Sequence, residues 1–121
     1  PYYPAYYGSN NLINVMSHNN SYKKTSYSNW GEKAHVSTFG EDIISFGLSD
    51  QKCYHSLSGT SQSTAILSGI ISLIKNSIPN INSKGIKNII KKSIKKSKDD
   101  RVSGIINLNK VVNTIKLHKS Q

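Results

Sequence analysis

The chain has 121 residues, one cysteine and a formal net charge of +10. That length holds one domain with a modest core. No apolar run reaches the roughly 18 residues of a membrane-spanning helix, lone Cys53 excludes an internal disulfide, and the opening PYYPAYYGSNN lacks the basic start and apolar centre of a signal peptide.

The charge is uneven. Residues 1–60 carry four Lys and four acids, whereas residues 61–121 carry twelve Lys/Arg and two Asp. A basic half suits nucleic acid, an acidic membrane surface, or simply a solvated helix face.

In chain order, Leu12-Ile13-Asn14-Val15-Met16 reads as a buried strand after a Tyr/Pro/Gly-rich lead. Residues 17–31 are polar and turn-rich. His35-Val36-Ser37 reads as a second strand, with His35 and Trp30 packed near it, and Ile43-Ile44-Ser45-Phe46 as a third. Gly47, Asp50 and Ser58 mark residues 47–58 as a loop. From Ser63 to Asn76 apolar residues cover most of a helical wheel, broken only by the small residues Thr64, Ser68 and Ser72. A helix apolar nearly all round belongs inside a larger protein. A second helix begins near Ser83, with Ile86, Ile89, Ile90 and Ile94 at helical spacing and lysines between them. A last helix spans 108–117, with Asn107 as its cap. Strands first and helices after give a mixed α/β class.

The stretch Gly59-Thr60-Ser61 opens the most apolar helix. A helix start offers free N–H groups and the positive end of a dipole, where an anion or a developing oxyanion can be held. By itself Ser61 is a cap. To be a nucleophile it needs small neighbours, an oxyanion donor such as its own N–H, and a general base.

Several segments together resemble the subtilisin-like serine proteases, the subtilases. Ser58-Gly59-Thr60-Ser61-Gln62-Ser63-Thr64-Ala65 through Gly69 resembles their nucleophile motif. Tyr3-Pro4-Ala5-Tyr6 with Asn11 to Val15 resembles an earlier strand. Ser26 to Gly31, Val36 to Ser45 and Gly104 to Val112 resemble three further motifs, in family order. The resemblance implies the C-terminal part of a three-layer α/β/α peptidase domain over residues 1–121. It makes Ser61 the nucleophile, with Gly59 and Thr60 shaping its turn, and it places Tyr3 and Pro4 on one wall of the substrate pocket.

It also implies that the catalytic Asp, the catalytic His and the oxyanion Asn precede the segment matched by Tyr3. Two triad members short, the chain alone is expected to be inactive and poorly folded. The departures are Gln62-Ser63 for Met-Ala, Ala65 for Pro, Ile66 for His, and Thr38-Phe39-Gly40 for Ala-Pro-Gly. An inactive subtilase-like interaction module is the alternative; a small basic polyanion-binding protein is a weaker one.

None of His18, His35, His55 and His118 matches the family's catalytic histidine, although His55 is nearest to Ser61 in sequence. The histidines and Cys53 form no metal-ligand spacing, so no metal and no chemical cofactor is expected from side chains. The family often holds calcium on backbone carbonyls near the segment matched by Ala5 and Tyr7, and the insertion at Gly8-Ser9-Asn10 alters that loop. No aromatic residue interleaves the lysines of 84–98, which argues against nucleic acid. The expected partners are a peptide or protein substrate and the upstream part of the same domain. The resemblance implies a secreted or cell-surface location.

Overall fold

A computed structural model describes residues 2–49 and 52–121. After a 3-10 turn over Ala5–Tyr7 come β1 (Val15–His18), β2 (Val36–Phe39), β3 (Ile43–Ser49), β4 (Lys52–Leu57), α1 (Thr60–Ser77), α2 (Ser83–Lys92), β5 (Ile94–Lys95), β6 (Ile105–Ile106) and α3 (Leu108–Lys119). One sheet runs in the order β1-β2-β6-β5. The β1–β2 and β2–β6 pairs are parallel, and β5–β6 is antiparallel. β3 and β4 form a separate antiparallel hairpin. The α/β class is as expected.

Paired residues on neighbouring strands share a face. Val36 points into a cluster with Leu67, Ile70 and Ile74 of α1, Ile81, Ile89 and Ile90 around α2, and Val111 of α3. All three helices therefore stack on one face of the sheet. Each of these buried side chains contributes about 2 kcal/mol. The opposite face carries Met16, His18, Ser37 and Phe39, by the register Met16↔Ser37 and His18↔Phe39. There Met16 Sδ accepts from Ser103 Oγ at 3.4 Å, and the His18 ring packs against Phe39 and Tyr22. Of a three-layer arrangement, this chain supplies the sheet and one helical layer.

The first strand starts and ends later than its apolar run suggests. Asn14 is drawn into the preceding loop, its Nδ2 donating to Ala5 O and Lys33 O. The strand then continues through polar Ser17 and His18, both fully buried. The main chain of this polar stretch is tied in by partners. Ser17 N–H donates to Ser28 Oγ at 3.0 Å, and Thr25 N–H donates to Ser17 O at 3.2 Å. The second strand likewise runs on to Phe39. His35 does pack beside it, whereas Trp30 is 61% exposed.

The segment 47–58, read as a loop, is largely strand. Its residues 50 and 51 lie outside the described residues. Gly47 is no loop signal: a Cβ there would collide with the His55 ring across the hairpin. Ile94 also departs from expectation. α2 stops at Lys92, and Ser93 caps it by donating Oγ to Ile89 O at 2.7 Å, which frees Ile94 to pair with Ile106. The helix starts at Asn82 and Asn107 are capped as Asx side chains should cap them. Their Oδ1 atoms accept from Gly85 N–H and Lys110 N–H, each at 2.9 Å.

α1 begins three residues before the apolar stretch and is not buried all round within this chain. Ser63, Leu67, Ile70 and Ile74 are buried. Ala65, Ser68, Gly69, Ser72 and Leu73 face outward, Leu73 62% exposed. The small polar residues satisfy themselves: Thr64, Ser68 and Ser72 each donate a hydroxyl to the carbonyl four residues back, at 2.8, 2.9 and 3.1 Å.

Candidate functional site

The Ser61 turn sits where the C-terminal ends of β1 and β2 meet the start of α1. In open α/β sheets that end of the strands is where ligands bind. Gly59 is the N-cap, Thr60 the first helical residue and Ser61 the second. Gly59 has no side chain, and no side chain caps this helix. The first N–H groups of a helix have no intrahelical acceptor, so the Ser61 N–H is available to an incoming oxygen. The first turn carries no acid to compete for it. Ser61 itself is exposed.

The turn is held from beneath. Gly59 N–H donates to Gly40 O at 2.7 Å, and Gly40 N–H donates to His18 O at 3.2 Å. Tyr27 Oη donates to the same Gly40 carbonyl at 2.8 Å. Buried Ser63 donates its hydroxyl to Phe39 O at 3.0 Å, while Thr38 Oγ1 donates to Ser63 O at 2.8 Å. Gly40 packs so closely that a Cβ would collide with Ser63 Oγ and Ser17 Oγ and lie 2.8 Å from Gly59 O. Strand ends, glycine and helix start thus form one locked unit.

Among the described residues no histidine hydrogen-bonds Ser61. His55 is exposed on β4 and turned to Gly47. His35 Nδ1 accepts from Asn14 N–H at 2.8 Å, and burial lowers its pKa, with Lys87, Lys33 and Lys91 adding to the effect. His18 is fully buried with Nδ1 2.6 Å from Ser37 Oγ. Burial lowers its pKa to about 4. Among the described residues its Nε2 and the neighbouring Ser17 Oγ have no partner. His18 lies behind the turn, joined to it through its own carbonyl.

Tyr3 and Pro4 lead into the 3-10 turn. The Tyr3 ring packs on Tyr6 and Tyr7, with centroids 5.9 and 4.9 Å away. Nothing in this packing touches the Ser61 turn. Tyr27, Gly40 and Ser63, which hold that turn, were not singled out as site residues by the sequence. Ser63 was visible only as a departure from the motif, and Tyr27 and Gly40 only as members of the segments Ser26 to Gly31 and Val36 to Ser45 that resemble family motifs.

A profile of the subtilase family matches residues 1–106. No curated protein sequence matches significantly. Among solved structures, a protease of Pseudoalteromonas arctica superposes with a TM-score of 0.81 at 22% identity, over 93% of this chain and 38% of that one. A cold-adapted subtilisin-like serine proteinase gives 0.72 at 22% identity, over 87% and 37%. MycP1 from Mycobacterium smegmatis gives 0.76 at 24%, over 91% and 31%. These likenesses show the fold, and the chain spans less than two-fifths of the length of each of the three. With the profile covering most of its residues, the chain belongs to the subtilase family of serine proteases.

Proposed function

We propose that this chain carries the nucleophile of a serine endopeptidase, with Ser61 as the attacking residue. Ser61 Oγ bonds to the carbonyl carbon of a peptide, and its proton passes to a histidine. The carbonyl oxygen takes the charge and accepts the Ser61 N–H. Collapse breaks the C–N bond, the histidine returns the proton to the leaving amine, and water hydrolyses the resulting ester. That histidine, its orienting Asp and a second oxyanion donor, an Asn, come from family sequence that aligns upstream of Tyr3. They are the partner this chain requires, and the outward face of α1 from Ala65 to Leu73 suits their packing.

The observation that carries this reading is the exposed Ser61 on the uncapped first turn of α1, locked to the strand ends through Gly40, Gly59 and Ser63. Substrates are extended peptides in protein or peptide form, reached at a secreted or cell-surface location. Tyr3 and Pro4 belong to the wall of the substrate site. No chemical cofactor takes part.

The test is peptide-bond hydrolysis by the full natural chain beside its Ser61→Ala variant, folding matched by circular dichroism. The expected loss in kcat is on the order of 10⁶-fold. Equal activity in both would refute Ser61 as the nucleophile, and none in the folded natural protein would favour the inactive interaction module.

A further inference from the structure

The family resemblance implies calcium on the carbonyls near Ala5 and Tyr7, and the donors around this loop argue otherwise. Asn14 Nδ2 donates to Ala5 O at 2.8 Å and to Lys33 O at 2.7 Å. Lys87, arriving from α2, donates its ammonium to Leu12 O at 3.0 Å and reaches Ser9 O at 3.5 Å. The Lys33 ammonium lies 5.6 Å from the Tyr6 ring centroid and 3.7 Å from where a Gly8 Cβ would stand. Carbonyls of the loop therefore already face amide and ammonium N–H groups.

Calcium needs six to eight oxygens, usually including carboxylates. Glu32 is the only acid among residues 1–40, and it is exposed. The Lys87 ammonium on the Leu12 carbonyl and the Lys33 ammonium beside Gly8 and Tyr6 both repel a divalent cation at this loop. The donor set does not fit a metal.

We propose that Lys87, Asn14 and Lys33 form a built-in cationic clasp that holds the loop of residues 5–14 in place of a bound metal ion. The clasp links α2 to the strand entry, more than seventy residues apart in sequence as the Lys87–Leu12 pair shows. His35 beside it is held neutral by burial and by the lysines around it, so its Nδ1 stays free to accept the Asn14 N–H. Lys87 and Asn14 are positioning residues for the Tyr-rich lead. The inference concerns that loop alone and stands whether or not Ser61 is reactive.

Amide hydrogen exchange on the full natural chain tests it, read in peptides covering residues 5–14. Exchange there is expected to be the same in excess EGTA and in millimolar calcium. In Lys87→Met it should rise about tenfold within that segment, the size expected for losing a charged hydrogen bond. Added calcium should not restore it, and Lys87→Arg should largely preserve protection. Faster exchange at 5–14 on adding EGTA to the unmodified chain, or slower exchange on adding calcium, would overturn the proposal without any variant. Unchanged exchange in Lys87→Met, or a rise spread evenly over the whole chain, would overturn it too.

Discussion

Adding one methyl group at Gly40 should unlock the Ser61 turn. The Cβ of Gly40→Ala points at Ser63 Oγ and Ser17 Oγ, and it stands 2.8 Å from the backbone oxygen of Gly59. Side chains alone cannot relieve this, because one of the three obstacles is main chain. Overpacking a tight site costs roughly 1–3 kcal/mol, and the backbone obstacle puts Gly40→Ala near the upper end. Ser63→Ala removes one of the obstacles together with its hydrogen bonds to Phe39 O and Thr38 O, at a cost of about 1 kcal/mol. The double variant should therefore lose about 1 kcal/mol less than the sum of the singles. Urea unfolding of the full natural chain measures all three. Because Gly59 precedes Thr60 and Ser61, Gly40→Ala should also slow acylation of Ser61 more than Ser63→Ala does. A Gly40→Ala variant within 0.5 kcal/mol of the natural protein, or strictly additive singles, would refute the picture of a locked unit.

Further predictions follow from the caps, the core and the buried imidazole. Asn82→Ala and Asn107→Ala should each cost about 1 kcal/mol in urea unfolding, since each removes the acceptor for a first-turn N–H. Ile74→Ala, at a fully buried position in the shared helical cluster, should cost about 2–5 kcal/mol by the same measurement. His18 is neutral when folded, and its pKa falls from 6.5 to about 4. The unfolded chain thus binds the extra proton first as pH drops. Stability contributed by neutral His18 is intact above pH 6.5, is lost progressively from there down to pH 4, and changes no further below. The whole span is worth up to about 3 kcal/mol. Unfolding free energy followed between pH 7 and 4 should show a shallower fall in His18→Leu than in the natural chain; parallel curves would contradict the assignment.

What the residues disclosed and what they hid have physical reasons. The cap at Asn107 and the three helices were legible because capping and apolar spacing are local, whereas the equivalent cap at Asn82 was passed over. The Gly59-Thr60-Ser61 helix start was legible from its small residues, and its reading as a nucleophile turn came only with the resemblance to the subtilases. The strand through Ser17 and His18 was hidden because it buries polar residues, and the partners of the Ser17 N–H and His18 Nδ1, Ser28 and Ser37, lie far off in sequence. β4 was hidden because Gly47, an ordinary breaker, makes room for the His55 ring. β5 and β6 are two-residue strands defined by pairing with distant partners, β6 with both β2 and β5. The near-complete apolar ring of α1 was legible as a face that one small chain cannot cover, and its side from Ala65 to Leu73 is indeed open among the described residues.

Fluorophosphonate labelling of the full natural chain, with the adduct located by peptide mass spectrometry, tests the central claim most directly. The account predicts a single phosphonylated residue, Ser61, and no adduct in Ser61→Ala. A folded natural chain that takes up no label, or carries it on another residue, would contradict it.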